Sequence, residues 1–279
     1  MGFLDIVERN IHYLSRYPNI GKFFATIFGA LEVPLLEFIY LVDNVHPGFF
    51  DRSMAFFWKY YGSRIIPLDI NLKTVQAVSP TDEIVNIIRR VPSLAIGYCY
   101  CRNKHKNCSS PVWTCIHVGT GKQLDELGKK MPLKTATADE VEQLLYETDR
   151  LGLVHQLITA PSPDYFYVIC NCCPCCCVML SAAINVGTKD VVLASNFVAN
   201  QVDANCKSCG KCINRCYFKA RTLIKERLNF DPARCTGCGL CVSICDFDAI
   251  QLVRRPNDVK YKPLYPLREY RTYDQNSSN

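Results

Sequence analysis

Cys206-Lys-Ser-Cys209-Gly-Lys-Cys212-Ile-Asn-Arg-Cys216 recurs 29 residues later as Cys235-Thr-Gly-Cys238-Gly-Leu-Cys241-Val-Ser-Ile-Cys245. Each run reads Cys-x2-Cys-x2-Cys-x3-Cys. At that spacing three thiolates on one tight loop hold three corners of an iron–sulfur cubane, while the fourth reaches a second cluster. A zinc site would more often pair CxxC units across a longer spacer. Gly210, Gly237 and Gly239 provide the backbone freedom such loops need close to inorganic sulfide.

Upstream, Cys170-Asn-Cys172-Cys173-Pro-Cys175-Cys176-Cys177 places six cysteines in eight residues, and Cys99, Cys101, Cys108 and Cys115 precede it. Eighteen cysteines in 279 residues imply either a disulfide framework or metal ligation. The first residues, Met1-Gly-Phe-Leu-Asp-Ile-Val-Glu-Arg, show no secretory pattern, and Ile6 does not fit a myristoylation signal. The expectation is therefore metal ligation in a reducing cytoplasm. One further cubane would use four of these ten thiols and two would use eight. Neighbouring side chains diverge, so the 170–177 run should serve two faces, with Pro174 fixing the backbone between its two groups of thiols. The alternative for any single member is an inert buried cysteine.

The formal charge of +6 would ordinarily point to an acidic partner, nucleic acid or an anionic membrane. A four-cysteine cluster carries about −2 when oxidised, so three would cancel that charge. The excess reads as a counterweight to clusters, and no nucleic-acid partner is expected.

The fold class expected is α+β, in four parts. Residues 1–78 form a helical, aromatic-rich region. Its segment from Phe23 to Val42 has the length of a membrane span, but Glu32 and Glu37 make insertion unfavourable. A helix with Leu31, Leu35, Phe38, Ile39 and Val42 on one stripe is the better account, and peripheral membrane contact is the alternative. Residues 79–197 form a cysteine-rich α+β domain. Ser79 or Thr81 starts a helix with Ile84, Ile87 and Ile88 inward, ended by Pro92. Leu94 to Tyr98 is extended and leads into Cys99 and Cys101, which would share a strand face. Thr137 and Glu140 form a capping box for a helix with Val141, Leu144 and Leu145 inward, stopped by Gly152. Val154 to Thr159 and Tyr165 to Cys170 form a hairpin around a turn at 161–164, so the helix-then-hairpin order is winged-helix-like. Val178 to Val186 is a helix stopped by Gly187. Residues 198–253 hold the tandem cysteine runs, and 254–279 is an extended tail.

Residues 198–253 resemble the bacterial-type ferredoxin domain with two 4Fe-4S clusters. The resemblance implies one cluster on Cys206, Cys209, Cys212 and Cys245, and another on Cys235, Cys238, Cys241 and Cys216. It also implies two βαβ units, with Thr222 to Ile224 and Leu228 to Phe230 as a hairpin and Ala249 to Val253 as the closing strand. Tyr217 and Asp246 stand where that family usually has proline after the fourth cysteine, which affects loop rigidity and potential but not the ligands. From about 94 to 250 the order CxCR, CNCCxCCC, ferredoxin resembles a group of iron–sulfur proteins from anaerobic microbes, which implies an additional cluster.

Arg102 could neutralise a cluster or bind an anionic substrate, against the commoner role of packing or a salt bridge. His105 and His117 could ligate iron or move protons, though single histidines are more often surface or structural, and His155 also lies near the cysteines in sequence. No haem-attachment, P-loop or dinucleotide motif is present, so electrons should come from a partner protein, either a flavoprotein or a larger oxidoreductase. Between residues 200 and 253 eight Lys or Arg face five Asp or Glu, which suits an acidic docking partner. The leading reading is an electron-transfer protein or subunit of an anaerobic redox complex. It would carry two ferredoxin clusters plus one or two held by Cys99, Cys101, Cys108, Cys115 and the 170–177 thiols. A small reductase with a substrate-binding cluster is the alternative, and a redox-sensing regulator the second.

Overall fold

The computed structural model describes residues 62–72, 84–91, 93–118, 132–159, 165–187, 191–224, 227–256 and 262–263, together with Phe38, Leu41 and Val45. Of the helix expected over 23–42 the described residues include only Phe38 and Leu41, both helical and both exposed, so Phe38 is not turned to a core as the stripe required. The helix start at Ser79 or Thr81, Pro92, the turn at 161–164 and most of the tail lie outside the described residues.

In chain order the elements are β1 (Gly62–Ile65), α1 (Ile84–Arg90), β2 (Leu94–Tyr98), α2 (Tyr100–His105), β3 (Trp113–Val118), β4 (Leu133–Ala136) and α3 (Ala138–Leu151). Next come β5 (Val154–Thr159), β6 (Tyr165–Cys172), α4 (Val178–Ser181), which continues as a π turn over Ala182–Val186, and β7 (Val192–Leu193). The C-terminal part has β8 (Phe197–Gln201), α5 (Lys211–Asn214), β9 (Arg221–Ile224), β10 (Arg227–Phe230), α6 (Leu240–Ser243) and β11 (Ile250–Arg254), and β12 (Lys262–Pro263) follows. The content is α+β, with few and mostly short helices.

One mixed sheet runs β4-β2-β3-β6-β5-β1-β7, with β12 also against β6. Residues alternate between its faces, as a period of two requires. Val154 and Ile158 of β5, with Val168 and Cys172 of β6, pack against α4. Leu157 and Ile169 face the other side and meet Ile84, Ile87 and Ile88 of α1 and Val141 and Leu145 of α3. The capping box is present at Thr137 and Glu140, and Gly152 closes α3 at φ 81°.

Three expectations need correction. The β5–β6 hairpin is no wing, because β6 pairs with β3 and β5 with β1, which puts the hairpin at the sheet's centre. Cys99 and Cys101 do not share a strand face, because the chain turns into helix at Tyr100, with Cys99 at the N-cap. The stretch read as a helical N-terminal region contains β1, which pairs with β5 and β7. It also supplies Leu72, buried with Phe197, Ala199, Ile250 and Leu252 in the C-terminal core.

In that C-terminal part β8 pairs antiparallel with β11, and β9 with β10. Strand–helix–strand thus occurs twice, as β8-α5-β9 and β10-α6-β11. Cys212, Cys235, Cys241 and Cys245 pack around the core between them.

Candidate metal centres

The tandem runs wrap two cavities. Cys206, Cys209, Cys212 and Cys245 line one, and Cys216, Cys235, Cys238 and Cys241 line the other; both open in part to solvent. Each cavity takes three thiols from one run and the last from the other. The loops turn through Gly210, Gly237 and Gly239 at φ 75°, 68° and 84°. Backbone amides point at the sulfurs: Ser208 N lies 3.5 Å from Cys206 Sγ, and Ala199 N 3.5 Å from Cys235 Sγ.

Arg221, at the start of β9, is in the sequence only one basic residue among eight, with no spacing that singles it out. It is 1% exposed, donates to Gln201 Oε1 at 3.0 Å and stacks its guanidinium over Phe230. Its charge acts on Cys212 of one cavity and Cys241 of the other. Its guanidinium faces the Cys241 thiol of the second cavity, which the residue lines, and its Nε and Nη2 are buried with no oxygen or nitrogen acceptor. Cluster sulfide is an acceptor for such donors, so the donor set fits an iron–sulfur cluster. Burial pushes the Cys238 thiol up, and Cys241 to about 12 despite Arg221. Metal binding must therefore drive these protons off.

Residues 228–251 match the 4Fe-4S binding domain. The match takes in Cys235, Cys238, Cys241 and Cys245, so the C-terminal part carries a 4Fe-4S binding domain. No curated protein matches the chain.

The ten upstream thiols divide into two groups. Cys108, Cys173, Cys175 and Cys176 bring their four sulfurs within 4.8 Å of one another, and among the described residues no other three ligand atoms are so close. The other six form a chain of interacting neighbours. Cys99 pairs with Cys115, Cys115 with Cys170, Cys170 with Cys172, Cys172 with Cys177, and Cys177 with Cys101. The strand register explains its centre: Ile116 lies opposite Ile169 in antiparallel β3 and β6, so Cys115 meets Cys170. Hydrogen bonds from Cys170 and Cys177 bring Cys172 down to about 6 although it is buried. Burial raises Cys108, but Ser110, Cys173 and Cys175 outweigh it and bring that thiol to about 6 as well. The 170–177 run thus serves two faces, but Pro174 does not divide them: Cys170, Cys172 and Cys177 turn to one group, and Cys173, Cys175 and Cys176, on both sides of the proline, to the other.

Arg102 sits between the groups and is 1% exposed. It donates to Pro111 O at 2.6 Å, Thr114 Oγ1 at 2.9 Å, Asn171 O at 2.9 Å and Cys173 Sγ at 3.5 Å. Burial opposes its charge, but Cys99, Cys173 and Cys172 outweigh that and hold its pKa above the usual range. His117 shares a β3 face with Cys115, and burial lowers its pKa. His105 ends α2.

His155 points to the opposite face of the sheet, its Nδ1 2.6 Å from Asn171 Oδ1 and its Nε2 3.7 Å from Asp149 Oδ1. Asn171 Nδ2 donates to Thr114 O at 2.7 Å. Asp149 in turn meets Asn71 and Ser243 of α6. This buried polar chain links the upstream site to the C-terminal part, and nothing in the spacing of its members announces it.

Proposed function

We propose that this chain is an iron–sulfur electron-transfer protein, or a subunit of a redox complex, with its clusters arranged as a wire. Two 4Fe-4S clusters occupy the tandem cysteine cavities, one on Cys206, Cys209, Cys212 and Cys245 and one on Cys216, Cys235, Cys238 and Cys241. A further cluster takes its ligands from Cys99, Cys101, Cys115, Cys170, Cys172 and Cys177. The carrying observation is the packing between the halves. Leu240 is buried in one core with Cys172, Cys177 and Val178, and Cys238, Cys101, Cys170, Tyr217 and Phe218 pack against it. The second cavity, through Cys238, therefore shares a packed core with the six-thiol group.

When bound, such clusters pass one electron at a time. The protein's part is to hold them dry and close and to set their charge balance. Arg221 acts on both cavities and Arg102 on the upstream thiols, and buried positive charge favours the reduced state. Donor and acceptor are redox proteins, and the basic excess over 200–253 suits an acidic docking face. In the alternative of a small reductase, Arg102 or a histidine beside an open cluster would handle substrate or protons. Arg102 is buried and already donates to four protein acceptors, which favours the wire. The regulator reading loses its support with the hairpin at the sheet centre.

Iron and sulfide analysis of anaerobically purified protein, combined with EPR during reductive titration, tests the reading. About twelve cluster irons per chain are expected, four for each of three cubanes. About eight, with no signal beyond two coupled clusters, would remove the upstream part of the wire.

A further inference from the structure

The four-thiol group and the ferredoxin thiols differ in scale. Cys108 Sγ is 3.6 Å from Cys173 Sγ and 3.8 Å from Cys176 Sγ, and Cys175 Sγ is 3.8 Å from Cys176 Sγ. All four sulfurs fit within 4.8 Å. A cubane binds its four thiolates on four separate irons, which holds their sulfurs farther apart than ligands of a single ion. In the tandem cavities the thiols stand apart in this way: no three of them approach within that distance. A single tetrahedral ion with metal–sulfur bonds of about 2.3 Å puts its sulfurs about 3.8 Å apart. The spacing at Cys108, Cys173, Cys175 and Cys176 is that of one ion.

We infer that Cys108, Cys173, Cys175 and Cys176 form a closed mononuclear tetrathiolate site for a soft divalent ion, zinc or iron, separate from every cluster. This deepens the electron-transfer reading but does not depend on it.

The surroundings suit such a site. Four thiolates select zinc or iron over harder cations. Ser110 donates to the Cys108 sulfur from its backbone and side chain, Asn107 N donates to Cys176, and Arg102 reaches Cys173. These contacts orient the ligands and offset their charge, as outer-shell groups do at metal sites. Three ligands lie on the tight turn after β6, where Cys176 N and Cys177 N both bond to Cys173 O. The fourth lies in the loop after α2, tied to that turn by Asn107 Nδ2 donating to Cys175 O at 2.7 Å. The ion would clamp this loop to the turn and so fix Cys170, Cys172 and Cys177 on one side and Cys99 and Cys101 on the other. With all four positions filled by protein, the site is structural rather than catalytic.

Elemental analysis and native mass spectrometry of the full-length protein, paired with acid-labile sulfide, test the inference. One zinc, or one iron in excess of sulfide, is expected per chain. Cys175→Ser, at the exposed ligand, should lose that ion and leave cluster iron and sulfide unchanged. Cobalt loading should give the d–d spectrum of a tetrahedral sulfur site, absent in the variant. Loss of about four irons with four sulfides in Cys175→Ser would overturn the inference in favour of a cubane. Wild-type protein with no ion beyond its cluster iron, or zinc that stays in the variant, would overturn it as well. The wire instead falls on a total of about eight cluster irons, so the two failures are distinguishable.

Discussion

Gly237, in the second cysteine loop, and Gly210, in the first, both sit at positive φ, yet they face different surroundings. A Cβ on Gly237 would stand 2.1 Å from Phe197 O and 2.3 Å from Ser195 Oγ, whereas one on Gly210 would meet nothing within 4 Å. Backbone strain is common to both, and the clash belongs to Gly237 alone. Gly237→Ala is expected to cost about 3 kcal/mol or more through overpacking added to strain, and to release iron. Gly210→Ala should cost about 1 kcal/mol and keep its cluster. Thermal unfolding and iron content of the two variants check this. The need for glycine in these loops was legible from the motif. The inequality was not, because Phe197 and Ser195 lie some forty residues upstream and reach Gly237 only in the folded chain.

Among the elements, α3 reaches the C-terminal part through its last turn. Its start was readable in full, since a capping box is local chemistry among four residues. Its last turn was not: Asp149 looks like an ordinary surface acid but is buried against His155, Asn71 and Ser243. Burial pushes the carboxyl up, but the His155, Ser243 and Asn71 contacts outweigh it and hold the pKa below the usual value. A depressed carboxyl stabilises the fold fully above its unfolded pKa of about 4, and that contribution is lost as pH falls through the lower folded value. Asp149→Asn is therefore expected to cost about 2 kcal/mol at pH 7. The gap from wild type should close below about pH 4. Paired melts across that range read the effect, and a gap independent of pH would contradict it.

For the whole molecule, residues 62–72 act as the tie. Strand β1 extends the large sheet, Leu72 fills the C-terminal core, and Asn71 lies against Gly239 and Asp149. A chain truncated to begin at residue 79 is expected to lose a sheet strand and a buried leucine, the latter alone worth about 2–5 kcal/mol. It should bind less iron in its C-terminal part despite retaining all eighteen cysteines. Retention of full iron content and cooperative unfolding would show that the halves stand without this tie. The segment's role was hidden because its four strand residues, Gly-Ser-Arg-Ile, carry no alternating pattern and pack on partners about ninety residues away.

Legible in the sequence alone were the iron–sulfur chemistry of the C-terminal part, the α+β content, the capping box and the need for the 170–177 run to serve two faces, though not which thiol goes to which. Each follows from spacing within a few residues, where the period of a strand or the reach of a loop leaves one arrangement. Tertiary structure decided which thiols meet. Cys115 joins Cys170 through strand register, Cys108 joins Cys173, Cys175 and Cys176 across a loop, and Arg102 and Arg221 become buried charges between thiol groups. Those pairings depend on contacts between distant segments, which local spacing does not encode.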